Sequence, residues 1–237
     1  MGQIEFILRA LPNLLLGYPT ERPGGLLLSL ILGVIAVGIG FALGVPLGVA
    51  RTSRRRWLRG PAAATIGVIR GLPLVLLLIL VHTLGSRAML GVNFAPLMSS
   101  IIALTLYASA YQAEIVRAGL RAVPGTQREA AQALGLSGPD TLRFVILPQA
   151  LRAMLPAFAG QAISIFKDTS IVLALGVSDL MAVARTTGSA SNERYFLALY
   201  ATIGFLYFVV AYAISRFARR FERDAPARRM LWLRYQS

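Results

Sequence analysis

Long apolar runs separated by short arginine-rich segments organise this chain. Gly24 to Ala50 carries no charged residue and is almost wholly apolar. A bilayer-crossing helix needs about 20 such residues, so this run predicts a first membrane span, about 24–50. Pro61 to Leu84 predicts a second, interrupted by Arg70, Gly71, Pro73 and His82. Phe94 to Val116 predicts a third, with Glu114 near its end. A fourth is expected within Leu155 to Leu180, broken at Lys167-Asp168, and a fifth, rich in aromatics, from Tyr195 to Ala218. The pattern predicts an all-α, polytopic bundle of five spans, a single domain over residues 1–237.

The polar segments orient the bundle. Arg51, Arg54, Arg55, Arg56 and Arg59 follow the first span. Arg117, Arg121, Arg128, Arg143 and Arg152 follow the third; Arg216, Arg219, Arg220, Arg223, Arg228, Arg229 and Arg234 close the chain. With five spans these three segments share one side, and the other side holds only Arg9, Arg22, Arg87, Arg185 and Arg194. Basic excess marks the cytoplasm, so the N-terminus is expected outside and the C-terminus inside. Composition agrees: 56% of the 237 residues are hydrophobic and 14% charged, against roughly 45–50% and about 25% in soluble domains. The net charge of +14 therefore reads as span-flanking arginine, not nucleic-acid binding. Without cysteine, and with His82 the only histidine, neither a metal site nor a disulfide is expected. Met1 to Arg22 is amphipathic and contains Pro12 and Pro19, unlike a cleaved signal peptide.

Residues 117–152 form the long polar excursion, placed in the cytoplasm by the arginine count. Pro124-Gly125 breaks the chain, Thr126 is a candidate N-cap, and Glu129 falls at the third helical position of a capping box. Ala130, Ala131, Ala133 and Leu134 favour helix, and Gly135 stands where a left-handed residue closes one. Ser137 is expected to cap a second helix with Asp140 in its first turn, and Pro148 to break or kink the chain after it. A short alanine-rich helix of about two turns suits docking into a partner's groove; an interfacial helical hairpin is the alternative.

This segment resembles the EAA loop of binding-protein-dependent ABC importer permeases. Glu129, Ala130, Ala131, Gly135, Leu147 and Pro148 match that motif in register, with Val145 in place of its isoleucine. Tyr111, Glu114, Arg117 and Ala118-Gly119, the stretch 147–156, Lys167-Asp168-Thr169-Ser170 and Arg70-Gly71-Leu72-Pro73 are similar to the polar amino-acid branch, which includes histidine, glutamine and glutamate permeases. Three departures stand out. The glycine before the EAA helix is shifted by one, Leu72 replaces a common threonine, and Gly67 stands where an acid often precedes Arg70. The resemblance implies a type I ABC importer permease fold and a coupling helix that docks on an ATPase subunit. It also implies two ATPase subunits that bind ATP and Mg, a second permease chain, identical or sister, and an external solute-binding protein. The cargo it implies is a polar amino acid such as glutamate, aspartate or glutamine.

A P-loop needs Gly, four residues, Gly-Lys and Ser or Thr. The only lysine, Lys167, follows Phe166, so no P-loop exists here. No catalytic residue or cofactor is expected in this chain, and ATP would be hydrolysed by a separate one. Charged groups inside a span cost at least about 2.5–3.5 kcal/mol at its centre and persist by pairing or by facing a cavity. Arg70, Glu114, Lys167 and Asp168, with the neighbouring hydroxyls Thr169 and Ser170, are therefore the candidate substrate-pathway residues. Arg70 would attract a substrate carboxylate or else pair with Asp168 or backbone carbonyls. Glu114 would pair with Arg117 or Arg121. Lys167 and Asp168 are adjacent and lie on different helix faces, so at least one should find a partner on another helix. An ion-gradient-driven secondary transporter is the rival; it requires transport by this chain alone.

Overall fold

A computed structural model of the chain describes residues 2–21, 23–85, 94–190 and 195–223. Arg22, Arg87, Arg194, Arg228, Arg229 and Arg234, which enter the orientation count, lie outside the described residues. The regular secondary structure of the described residues is helical, apart from a single bridge between Gly25 and Asp179.

The amphipathic helix α1 (Gln3–Leu16) buries Phe6, Ala10 and Leu14. Next comes α2 (Gly25–Thr52), the first apolar run. The second run divides into α3 (Arg56–Gly71) and α4 (Leu74–Leu84), which meet at 108°. The break falls at the interruption expected from Gly71 and Pro73 within the run 61–84. Pro73 disfavours the α region for the residue before it, and Leu72 is accordingly extended, at φ −92° and ψ 138°. Helices of 16 and 11 residues are about 24 Å and 16 Å long, so neither alone spans a hydrocarbon core about 30 Å thick.

Helix α5 (Pro96–Ala122) occupies the centre and carries the third run. Three stretches of the described residues are long and apolar enough to cross a bilayer by composition: Gly25–Thr52, Gly138–Leu175 and Phe196–Arg220, with the bent α3–α4 pair a fourth. Helix α5 falls short because polar residues dilute its apolar run: Ser99, Ser100, Thr105, Ser109 and Gln112 are all buried on it. Its main contact is a seam of small residues against α2. A Cβ on Gly44 would stand 2.8 Å from the Ser109 carbonyl oxygen, and one on Gly48 would stand 2.5 Å from that of Ala113. Only glycine lets the two backbones approach so closely. The Gln112 amide donates across the seam to the Val37 carbonyl at 3.2 Å.

The 117–152 excursion is more helical than a loop. Helix α5 continues to Ala122, α6 spans Gly125–Ala133, and a turn at Gly138–Asp140 leads through a π turn (Thr141–Ile146) into α7 (Leu147–Asp168). Helix α7 thus begins before Leu155, the expected start of the fourth run. Pro148 does not break it, because it sits at the start of α7, where a missing N–H is tolerated; the π turn just before it widens the helix. The expected interruption at Lys167-Asp168 is a switch from α to 3₁₀ at Thr169, running to Leu175. Helix α8 (Leu180–Ala190) is an addition to the five expected runs; Asp179 caps it, accepting from the Met181 and Ala182 amides at 3.1 and 2.9 Å. Helix α9 (Phe196–Arg223) comes last. It packs with α1 and α8 through Leu180, Val183, Leu199 and Ile203.

Candidate functional site

Glu114, on α5, lies where α2, α3 and α5 converge. Arg117, one helical turn on, donates to its carboxylate at 2.8 Å from Nε and lies 2.7 Å away through Nη2. The Arg70 and Arg51 guanidinium groups stand at 3.7 and 3.8 Å, beyond hydrogen-bonding range. Arg70 also lies over the Tyr111 ring, 5.0 Å from its centroid, a cation–π contact. Three guanidinium groups therefore share one carboxylate, which leaves the site positive.

The expected choice for Glu114 between Arg117 and Arg121 resolves to Arg117. Arg70 pairs with Glu114 and not with Asp168. With glycine at position 67, α3 carries no acid for Arg70; Glu114 of α5 stands near it instead, a pairing that no local spacing reveals. A cavity of about 410 Å³ opens beside this group, lined among others by Arg70, Tyr111, Glu114, Arg117, Met154 and Gln161. Gln161 was not singled out from the sequence. Its amide nitrogen is buried and has no hydrogen-bond partner among the described residues. The signal available was one amide in the apolar stretch 157–166.

Lys167, Asp168, Thr169 and Ser170 are not among the residues lining that cavity. The expected interhelical partner for Lys167 or Asp168 is missing from the ion pairs of the described residues. Asp168 instead accepts from Ser164, on its own helix, at 3.5 Å. Thr169 is fully buried and donates to the Phe166 carbonyl at 2.7 Å, a back-bond that occupies it locally. Ser170 is half-buried. His82 meets the Ser99 hydroxyl at 3.0 Å.

The second constellation is α6. Its closure is complete: Gly135 is left-handed (φ +83°), the Leu136 amide reaches the Ala131 carbonyl at 3.1 Å, and the Gly135 amide reaches that of Gln132 at 2.9 Å. These two bonds form a Schellman motif. Its start differs from expectation. Pro124 is the N-cap, with no side-chain cap bond, and Thr126 lies inside the helix, so the Thr126–Glu129 capping box does not form. The glycine shifted to position 125 has become the first helical residue, which moves the N-cap back by two places, from Thr126 to Pro124. Ser137 caps as expected, accepting from the Asp140 amide.

Ala131 is buried and is the face by which α6 rests on the body. Gln149 of α7 donates to the Gln127 side chain at 3.4 Å and to the Val145 carbonyl at 3.0 Å. Glu129, on the opposite face, is exposed, as are its neighbours Arg128 and Ala130 and, beyond the helix, Leu134. Leu147 and Pro148 are exposed at the start of α7. The helix is thus supported from behind and bare in front.

A family model described as binding-protein-dependent transport system inner membrane component matches residues 36–225. The "Probable glutamine ABC transporter permease protein GlnP" of Bacillus subtilis is 35% identical over 199 residues, covering 84% of this chain and 90% of that one. The glutamate/aspartate import permease protein GltK of Escherichia coli O6:H1 is 35% identical over 197 residues, covering 81% and 87%. Among solved structures, a chain from the crystal structure of an amino acid ABC transporter with histidines superposes with a TM-score of 0.82 at 31% identity, covering 95% of this chain and 99% of that one.

Proposed function

Since the chain belongs to the family of binding-protein-dependent transport system inner membrane components, we propose that it is the permease subunit of an ATP-driven importer for a polar amino acid. Glutamate, aspartate, glutamine or a similar solute is the cargo. The observation that carries this reading is α6: a rigid helix, closed by a Schellman motif, braced by Ala131 and Gln149, with Glu129 and Ala130 outward. Such a face serves a partner, and with no P-loop in the chain the partner is the ATPase.

In this reading α2, the α3–α4 pair, α5, α7 with its 3₁₀ extension, and α9 are the five spans of one domain, with the N-terminus outside and α6 in the cytoplasm. Two ATPase subunits bind ATP and Mg. A second permease chain completes the pathway, and an external solute-binding protein delivers the cargo. Closure of the ATPase pair pushes α6, and Gln127–Gln149 passes the displacement to α7. The cavity beside Glu114 receives the cargo. The long contact of Glu114 to Arg70, which lines the cavity, leaves that guanidinium able to turn to an incoming carboxylate, while the close Arg117 pair holds Glu114 in place. Lys167, Asp168, Thr169 and Ser170 take a lesser part here, shaping the end of α7 away from the cavity.

Glu129→Lys and Gly135→Asp are expected to abolish ATP-driven uptake while leaving the amount of protein in the membrane unchanged. Uptake and membrane content are measured together. Undiminished ATP-dependent uptake in both variants would overturn the docking role of α6.

A further inference from the structure

The turn between α2 and α3 holds a charge cluster that the transport reading does not use. Arg54, Arg55, Arg56 and Arg59 are all exposed. No acidic residue occurs between Glu21 and Glu114, and none of these four makes an ion pair among the described residues. Their neighbour Arg51 alone turns inward, to Glu114. The turn itself is ordered, with the Arg55 amide donating to the Ser53 hydroxyl at 3.2 Å.

The adjoining helix face decides what this charge is for. Trp57 is 67% exposed and Val68 64%. Pro61 and Ala64, also exposed, lie between them on the same face, at the spacings of i, i+4, i+7 and i+11. Arg54 to Arg56, then an indole, then an apolar stripe repeat the layering of a lipid: headgroup, interface, acyl chain; Arg59 lies on the other face of α3. Tryptophan concentrates at that interface, and basic clusters beside a span attract anionic lipid. An acidic protein surface would match the arginines but would have no use for the stripe continuing up α3.

We infer that the α2–α3 turn is a binding site for an anionic phospholipid, with Arg54, Arg55 and Arg56 on the phosphate and Trp57 at the glycerol level. The site uses the proposed cytoplasmic placement and is independent of the cargo. Arg51, three residues before Arg54, stands 3.8 Å from Glu114, so the same end of α2 adjoins both the lipid site and the charge group at the cavity.

The test uses the complete transporter, purified and placed in vesicles of phosphatidylcholine with or without phosphatidylglycerol. Native mass spectrometry reads retained lipid, and solute-stimulated ATP hydrolysis reads function. The wild type is expected to retain phosphatidylglycerol selectively and to be faster in its presence. Each basic side chain near an anionic surface contributes about fivefold to partitioning. Arg54→Gln with Arg55→Gln and Arg56→Gln should therefore lower retention roughly a hundredfold, and Trp57→Ala should lower it less. The wild type supplies its own test if the triple variant fails to insert: equal retention of the two lipids overturns the inference. So does full stimulation by soluble glycerol phosphate in neutral vesicles, which assigns the site to a free phosphate. Loss of the ATPase subunits from the triple variant with lipid retained overturns it in favour of protein docking. Lost lipid with α6-dependent coupling intact supports the inference and leaves the importer reading untouched.

Discussion

At the scale of the residue, the decisive interaction is unequal sharing. Glu114 is held at hydrogen-bond distance by Arg117 and only at longer range by Arg70 and Arg51. Removing the acid and removing one base should therefore differ. Glu114→Gln leaves three guanidinium groups without a counter-charge. It is expected to cost about 1–2 kcal/mol, the partial exposure of the group keeping the loss below that of a fully buried pair. Arg70→Gln leaves Glu114 and Arg117 paired, so stability should hardly change, while the KM for uptake rises about tenfold, the worth of one charge-assisted contact. Thermal unfolding of the solubilised complex and the concentration dependence of uptake separate the two. Equal effects of both variants on KM and stability would show that Arg70 serves structure only.

At the scale of the element, two packing devices decide the architecture. The α2–α5 seam depends on glycines facing backbone, so Gly44→Leu is expected to separate the helices and prevent accumulation of folded protein. Gly38→Ala, on the same helix with nothing near its Cβ, should be neutral or slightly stabilising. Protein yield and unfolding temperature in detergent check the pair; tolerance of Gly44→Leu would remove the seam as a constraint. Much at this scale is legible in the sequence. Gly135 announces the end of α6, Ser137 announces the start of the turn that follows it, and Gly71 with Pro73 announces the break in the second run. Thr126 misleads because Thr after Gly looks like a start signal, while the extended Pro124 already supplies the entry geometry. Helix α8 escapes the hydrophobic pattern although Asp179 before an apolar run is an N-cap signal, because the apolar run ending at Leu180 conceals it.

At the scale of the whole molecule, hydrophobic pattern carries the class of protein and the positions of the apolar runs, since burial in lipid imposes length and composition directly. It does not carry partnerships between helices. Nothing in the local sequence says that Arg70 on α3 meets Glu114 on α5, or that Asp168 stays on its own helix, because such pairings depend on how helices cross. The same limit explains α5: its buried serines and Gln112 dilute its apolar character, because its neighbours are helices that can satisfy them.

The break at Leu72–Pro73 has a mechanical consequence. A continuous rod moves both of its ends together; two rods joined by two extended residues do not. Motion of α3 can be absorbed at the joint while α4 stays packed on α5 through Leu77, Leu78 and Ala103. A carrier that must never open to both compartments at once needs this kind of mechanical independence between its inner and outer halves. Pro73→Ala permits the rods to fuse and is expected to lower the number of solute molecules moved per ATP consumed, with the protein still folded. An unchanged ratio in reconstituted vesicles would show that the joint is ornamental and that the two halves are separated elsewhere.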